Sequence, residues 1–186
     1  MSMRTPQEAF ADVRPVIECL DLLARPVADA VRGWSGPVPV RELLYVDTDP
    51  DRADTAVLVE SYGAWLLDVS ANCVVVAGKR GGVVTLAACV VLSTTRVDVN
   101  GAARRELGAR KASFAAMDTA IGESGMEFGG ITPIGLPADW PLLVDAAVAD
   151  TPYVLLGSGS RRGKLIVPGK ALAGLAGAQV VEGLGV

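Results

Sequence analysis

The ten residues from Val83 to Leu92 contain no charged side chain, and that uninterrupted apolar run restricts the fold more than any other part of the chain. It is about half the length a helix needs to cross a bilayer, so it reads as a buried strand. A second β-rich run, Asn72 to Ala77, precedes it. The intervening Gly78-Lys79-Arg80-Gly81-Gly82 predicts a hairpin with a basic tip. With 186 residues the chain has the size of one ordinary domain built on a single core.

Helix and strand signals surround this hairpin. Thr5-Pro6-Gln7-Glu8 fits a capping box with proline in the first turn, while Pro15 and Pro26 interrupt the apolar pattern that follows. Two or three helical pieces ending near Gly33 are expected, with Phe10, Val13, Ile17, Leu20 and Leu23 facing inward. A strand is expected over Arg41 to Val46, then a short helix capped by Asp54 and closed by Gly63. After the hairpin come a short helix from Asp98 to Gly108, an extended Lys111 to Phe114, and a helix from Ala115 to Gly125. Strands are expected over Pro141 to Val144, Tyr153 to Leu156 and Lys164 to Val167, and a last helix over Ala171 to Leu175. The expected architecture is α+β: a single domain whose mixed, largely antiparallel, partly closed sheet is flanked by helices. Residues 1–40 form an N-terminal helical segment packed on the core, and residues 41–186 the main unit.

The sequence has no histidine, which excludes Ser-His-Asp and Cys-His catalysis and most catalytic zinc sites. Cys19, Cys73 and Cys89 are far apart in apolar surroundings and read as reduced packing thiols, not a metal cluster. Asp47, Asp49, Asp51 and Asp54 alternate like a calcium loop. Counting from Asp47, however, Arg52 and Leu58 stand where an EF-hand needs glycine and glutamate, so the cluster reads as a solvated turn. No metal and no cofactor is expected. Met1 to Pro6 lacks an apolar signal region, so a cytoplasmic location without membrane attachment is expected. Charge is uneven: residues 1–70 carry six basic and twelve acidic side chains, residues 71–111 seven and two, and residues 112–186 four and seven. The basic middle third, from Lys79 and Arg80 to Arg110 and Lys111, is either a docking face for a polyanion or a set of solvated surfaces.

Two glycine segments carry the chemistry. Gly129-Gly130-Ile131-Thr132-Pro133-Ile134-Gly135 and Gly157-Ser158-Gly159-Ser160-Arg161-Arg162 put bare peptide amides where a side chain would block a ligand, and such amides attract carbonyl and phosphate oxygens. Either segment alone is an ordinary tight turn. Gly163-Lys164 follows the second, but a P-loop requires glycine at Ser158 and a hydroxyl at Leu165, so nucleotide binding does not fit. Arg161 and Arg162 either hold a phosphate or solvate the turn.

Taken in order, the Asp98 helix, Leu107-Gly108-Ala109-Arg110-Lys111, the Gly129 to Gly135 loop, Leu143-Val144-Asp145 and Gly157-Ser158-Gly159 resemble the YbaK and prolyl-tRNA synthetase editing-domain family. The likeness covers residues 41–186, with Gly129-x-x-x-Pro133 as its specific element. It implies hydrolysis of the ester of a misacylated tRNA, with tRNA as partner and possible association with an aminoacyl-tRNA synthetase. It assigns Asn72, Gly129, Gly130 and Pro133 to catalysis, with oxyanion-stabilising amides at Gly129 or Gly130. Thr132, Asp145, Gly157, Ser158 and Gly159 are assigned to substrate binding, and Lys79, Arg80, Arg161 and Arg162 to RNA contact. The resemblance also implies a lysine at the start of the central strand, where this chain has Asn72. That departure supports an alternative: a module that binds tRNA or an aminoacyl ligand without turnover. Lys79 lies seven residues further along the strand, roughly 23 Å away.

Overall fold

The computed structural model describes residues 4–52 and 54–186. Two short strands, β1 (Arg14–Pro15) and β2 (Leu44–Val46), precede the long hairpin of β3 (Ala71–Arg80) and β4 (Val83–Leu92). Then come β5 (Lys111–Phe114), β6 (Leu142–Asp145), β7 (Val154–Gly157), β8 (Lys164–Val167) and β9 (Ala178–Val181). A four-stranded sheet ordered β1-β2-β8-β7 is antiparallel throughout. A five-stranded sheet ordered β5-β3-β4-β6-β9 is mixed, its β4–β6 and β6–β9 pairs being parallel. The expected mixed sheet therefore exists as two pieces, which meet where Ser70 bridges Leu155 immediately before β3.

The apolar run is buried from both sides. Ala88 and Val90 of β4 point into the main core, whereas Cys89 and Val91 point into a second cluster on the opposite face; Val75 and Val76 of β3 divide the same way. A strand with period-two alternation and two covered faces has no room for charge. Only at the hairpin end do Val83 and Val84 emerge. The turn is the two residues Gly81-Gly82, both at positive φ (56° and 80°), a backbone that matches the strand twist and favours glycine. Gly78, Lys79 and Arg80 belong to β3 itself.

Helices are short: α1 (Arg25–Arg32), α2 (Thr55–Tyr62), α3 (Arg104–Glu106), α4 (Met117–Ser124), α5 (Ala146–Ala149) and α6 (Gly169–Ala173). The segment expected to be helical before Gly33 has one α-helix, α1; the rest is β1 and tight 3-10 turns at Pro6–Ala9, Val16–Glu18 and Leu20–Leu22. Proline accounts for this, since Pro15 is built into β1 and Pro26 is accepted only in the first turn of α1. Val16 and Cys19 are the fully covered residues there, with Ile17, Leu20 and Leu23 half-buried beside them. A π-helical turn, Val99–Ala103, leads into α3, and the Asp98 carboxylate caps it by accepting from Gly101 N at 2.9 Å and Ala102 N at 2.8 Å.

Asp145 ends β6 and joins two elements. Its carboxylate accepts from Ala147 N (2.8 Å) at the start of α5 and from Gly185 N (2.6 Å) near the C-terminus. Asp145→Ala leaves both donors without their acceptor and is expected to destabilise the fold by about 1–3 kcal/mol. The check is a lower urea midpoint with an unchanged m-value.

Candidate active site

The junction of the two sheets leaves a cavity of about 190 Å³. Ser70, Ala71, Asn72 and Cys73 line it from the start of β3, Leu155, Leu156 and Gly157 from β7, Lys164 from β8, Asp54 and Leu58 from α2 and its leading residue, and Gly129 and Ile131 from the loop before β6. Segments distant in sequence thus converge where Ser70 and Leu155 tie the sheets.

The two glycine loops meet backbone to backbone. Gly159 N donates to Gly130 O at 2.7 Å, and Glu127 N donates to Gly159 O at 2.9 Å. A Cβ on Gly130 would lie 2.5 Å from Ser160 O, and one on Gly157 would collide with Gly130 O. Close approach of two peptide chains therefore explains these glycines. Gly130 N is spent on Glu127 O (3.0 Å). By contrast, the peptide nitrogens of Gly129 and Ile131 meet no acceptor among the described residues, and both residues line the cavity.

Lys164 is the cavity's unexpected member. It is only 7% exposed, and directly opposite it on β7 stands Gly157, which has no side chain to cover it. Alternation places Lys164 on the face of Ile166, which packs with Val46, Leu58 and Leu155. Burial pushes the ammonium's pKa down; Asp54 opposes that shift and the like charge of Arg161 adds to it. Among the described residues no carboxylate lies within 4.0 Å of it, since Asp54 approaches Arg161 instead. Burial raises the Cys73 thiol's pKa above the ordinary value, which disfavours the thiolate at neutral pH. Among the described residues no three cysteine or carboxylate side chains gather as a metal-ligand set.

The aminoacyl-tRNA editing domain family matches residues 49–175, more than half of the sequence. The chain belongs to this family. Among solved structures, a candidate trans-editing enzyme for prolyl-tRNA synthetase superposes with a TM-score of 0.69 at 23% identity, over 86% of this chain and 94% of its own. A scaffold from a computational epitope-grafting study gives the same score and identity over 86% and 95%. A hypothetical protein scores 0.64 at 20% identity over 83% and 94%. These likenesses concern the fold. Among curated proteins none matches.

Of the residues that the family resemblance assigns to the site, this editing domain brings Asn72, Gly129 and Gly157 to one cavity. Others lie off it. Thr132 is fully buried, with its peptide nitrogen 3.5 Å from Met126 Sδ and its hydroxyl unpartnered among the described residues. Pro133 is buried behind it. Ser158 is also fully buried and donates to its own loop, at Arg162 O (2.8 Å), while Gly159 packs against Ala24 and Val27. Asp145 holds the C-terminus, as described above. The basic residues separate too. Lys79 and Arg80 sit at the far end of β3, where Arg80 donates to Gly108 O at 2.8 Å. Arg162 forks onto Asp47 (2.9 and 2.8 Å), and Arg161 stays beside the cavity with its backbone N–H on Glu127 Oε2 at 2.6 Å. Asp54 precedes α2 as expected, but its carboxylate makes no capping bond and lines the cavity.

Sequence reasoning missed Lys164, though a signal was present: a lone lysine opening the apolar strand Lys-Leu-Ile-Val. Its burial has a testable sign. Between the lowered folded-state pKa and the ordinary value of 10.5, the unfolded chain binds a proton that the folded chain has released, so wild-type stability rises with pH through that window. Lys164→Met removes the penalty and is expected to raise stability at neutral pH by on the order of 1 kcal/mol. That gap should narrow toward pH 10.5, as read from thermal midpoints across pH.

Proposed function

We propose that this editing domain hydrolyses the ester of misacylated tRNA, acting in trans as an aminoacyl-tRNA deacylase. The observation that carries the reading is the cavity at the sheet junction, where Gly129 and Ile131, whose peptide nitrogens meet no acceptor among the described residues, line the same small space as Asn72. An ester carbonyl seated there would meet fixed donors as its oxygen gains charge, which needs no reorganisation during the reaction. At about 190 Å³ the space is below the roughly 300–1,000 Å³ of common ligand pockets and suits a small acyl group. Apolar Leu58, Ile131, Leu155 and Leu156 wall it, so a larger side chain is refused by volume. Arg161 at the cavity and the distant Lys79 and Arg80 are candidate phosphate contacts for the RNA.

The second reading, binding without turnover, is favoured by one observation: neutral Asn72 occupies the place where the family resemblance implies lysine. A panel of tRNAs charged with small, mismatched amino acids separates the two. Release of free amino acid is expected, with kcat/KM lowered on the order of a hundredfold in Asn72→Ala. If no substrate is turned over while the charged 3′ end still binds, the second reading replaces the first. Affinity should fall with salt, and Lys79→Ala should lower the log–log salt slope by about one if Lys79 neutralises a phosphate.

A further inference from the structure

The charged side chains that line the cavity, among the described residues, are one carboxylate, Asp54, and one ammonium, Lys164. Their exposures differ: Asp54 reaches solvent, whereas Lys164 is more than nine-tenths buried. An ammonium on so buried a residue has lost much of its hydration, and among the described residues no carboxylate stands within 4.0 Å to compensate. Packing alone would place an apolar residue there, as it does at Ile166 two positions along the same face. Gly157 opposite leaves space beside the ammonium, and that space is the cavity itself.

We propose that Lys164 supplies the cation of this site: from β8 its ammonium holds the ester and ribose oxygens at the acylated 3′ end of the RNA, while Asp54 receives the α-ammonium of the acyl group. The proposal rests on the deacylase reading of the same cavity. An aminoacyl ester has a positive pole at its α-nitrogen and electron-rich oxygens three bonds away, and the cavity offers one group of each sign. In hydrolysis the oxygen of water bonds to the acyl carbon and the ester C–O bond breaks. The proton given up by water ends on the ribose oxygen, leaving a free amino acid and a terminal hydroxyl. Charge gathers on the acyl and ribose oxygens on the way, so an ammonium fixed beside them attracts the transition state more than the ground state. Asn72 can donate hydrogen bonds to the same atoms but adds no charge. The cation that the family resemblance places on β3 is thus provided from a strand of the other sheet.

The test compares the full chain with Lys164→Met, Lys164→Gln, Asp54→Asn and the transposed double variant Asn72→Lys/Lys164→Met. Three quantities are measured: deacylation of small-amino-acid tRNAs, calorimetric binding of a non-hydrolysable 3′-aminoacylamido-adenosine, and thermal unfolding. Lys164→Met is expected to lower kcat/KM about a hundredfold and to weaken the analogue without lowering the thermal midpoint. Moving the cation to β3 in the double variant should restore about tenfold of that loss. Asp54→Asn should weaken the analogue with a free α-amine, yet leave binding of its N-acetylated form unchanged. Should Lys164→Met not fold, Lys164→Gln is scored by the same criteria. Unchanged turnover and unchanged analogue affinity in a folded Lys164 variant overturn the proposal and leave the deacylase reading intact. If the wild type turns over no tRNA, the deacylase reading falls, and the analogue decides Lys164: weaker binding in the variant upholds the contact, whereas equal or absent binding by the wild type overturns it.

Discussion

The exchange of peptide hydrogen bonds between the two glycine loops is the contact on which the cavity depends. Gly159 N reaches Gly130 O, and Glu127 N reaches Gly159 O, so the chain before β6 and the turn after β7 lie against each other with no side chain between them. The Glu127 carboxylate strengthens the union by accepting from Arg161 N. Three of the cavity's lining residues, Gly129, Ile131 and Gly157, owe their positions to this exchange. It also decides which amides remain available. Gly130 N closes the turn internally, and the nitrogens left over are those on either side of it. A Cβ at Gly130 or Gly157 would therefore damage the site by prising the loops apart before it touched any ligand.

Charge is used in two different ways a few residues apart. Arg162 meets Asp47 in a two-pronged, largely exposed pair, and the guanidinium's hydrogen bonds hold the Asp47 carboxyl below its usual pKa. The Tyr45 hydroxyl also donates to it, at 3.3 Å. An exposed pair adds little to stability, yet its fork geometry fixes direction, and Gly163 N adds a bond to Thr48 Oγ1 at 3.1 Å. Together they tie the β7–β8 turn to the chain after β2. Because the Asp47 value is lowered, this tie is complete above the ordinary carboxylate range and is lost as pH falls through the folded-state value. Lys164 lies one residue beyond Gly163 and has no such partner among the described residues. One cation positions the loop, and the next is left buried where the loop ends.

How far the sequence disclosed this depends on whether a feature was local. The hairpin was legible because Asn72 to Ala77 and Val83 to Leu92 announce buried strands and Gly81-Gly82 can only turn. The β8 boundaries were legible because Lys164-Leu-Ile-Val is bracketed by Gly163 and Pro168. The N-terminal segment was not: its apolar spacing fits a helix, but Pro15 is taken up by pairing with Leu44 of β2, a partner nearly thirty residues away. β9 was hidden because Ala-Gln-Val-Val is short and exposed at Gln179 and Val180, and among the described residues it pairs only with its parallel neighbour β6. Both glycine loops contribute residues to the cavity, but Gly130, Gly157 and Gly159 also serve the contact between the loops. Their pattern signals close backbone approach, and a sequence cannot say whether what approaches is a ligand or another loop. Lys164 was obscured similarly, since a lysine beside an arginine pair in a turn reads as solvated until the sheet shows which face it takes.

An editing site has to reject the correct acyl group as firmly as it accepts the wrong one, and on the proposed reading the walls of this cavity would allow rejection without reading the side chain by affinity. A missing methylene is worth only about 1–3 kcal/mol in a complementary apolar pocket, too little to protect a correctly charged tRNA. Excluding a larger group by volume has no such ceiling, provided the walls do not yield. Here Leu155 and Leu156 belong to β7, which is hydrogen-bonded to β8 along its length, and Leu58 is a buried residue of α2. Such walls are stiff because strand and helix positions can move only with their neighbours. On the proposed reading, the groups that the polar side of the cavity would meet, the ester, the ribose and the α-amine, are common to every aminoacyl-tRNA. The chemistry would then be indifferent to the amino acid, and the size of the space would decide which ester reaches it.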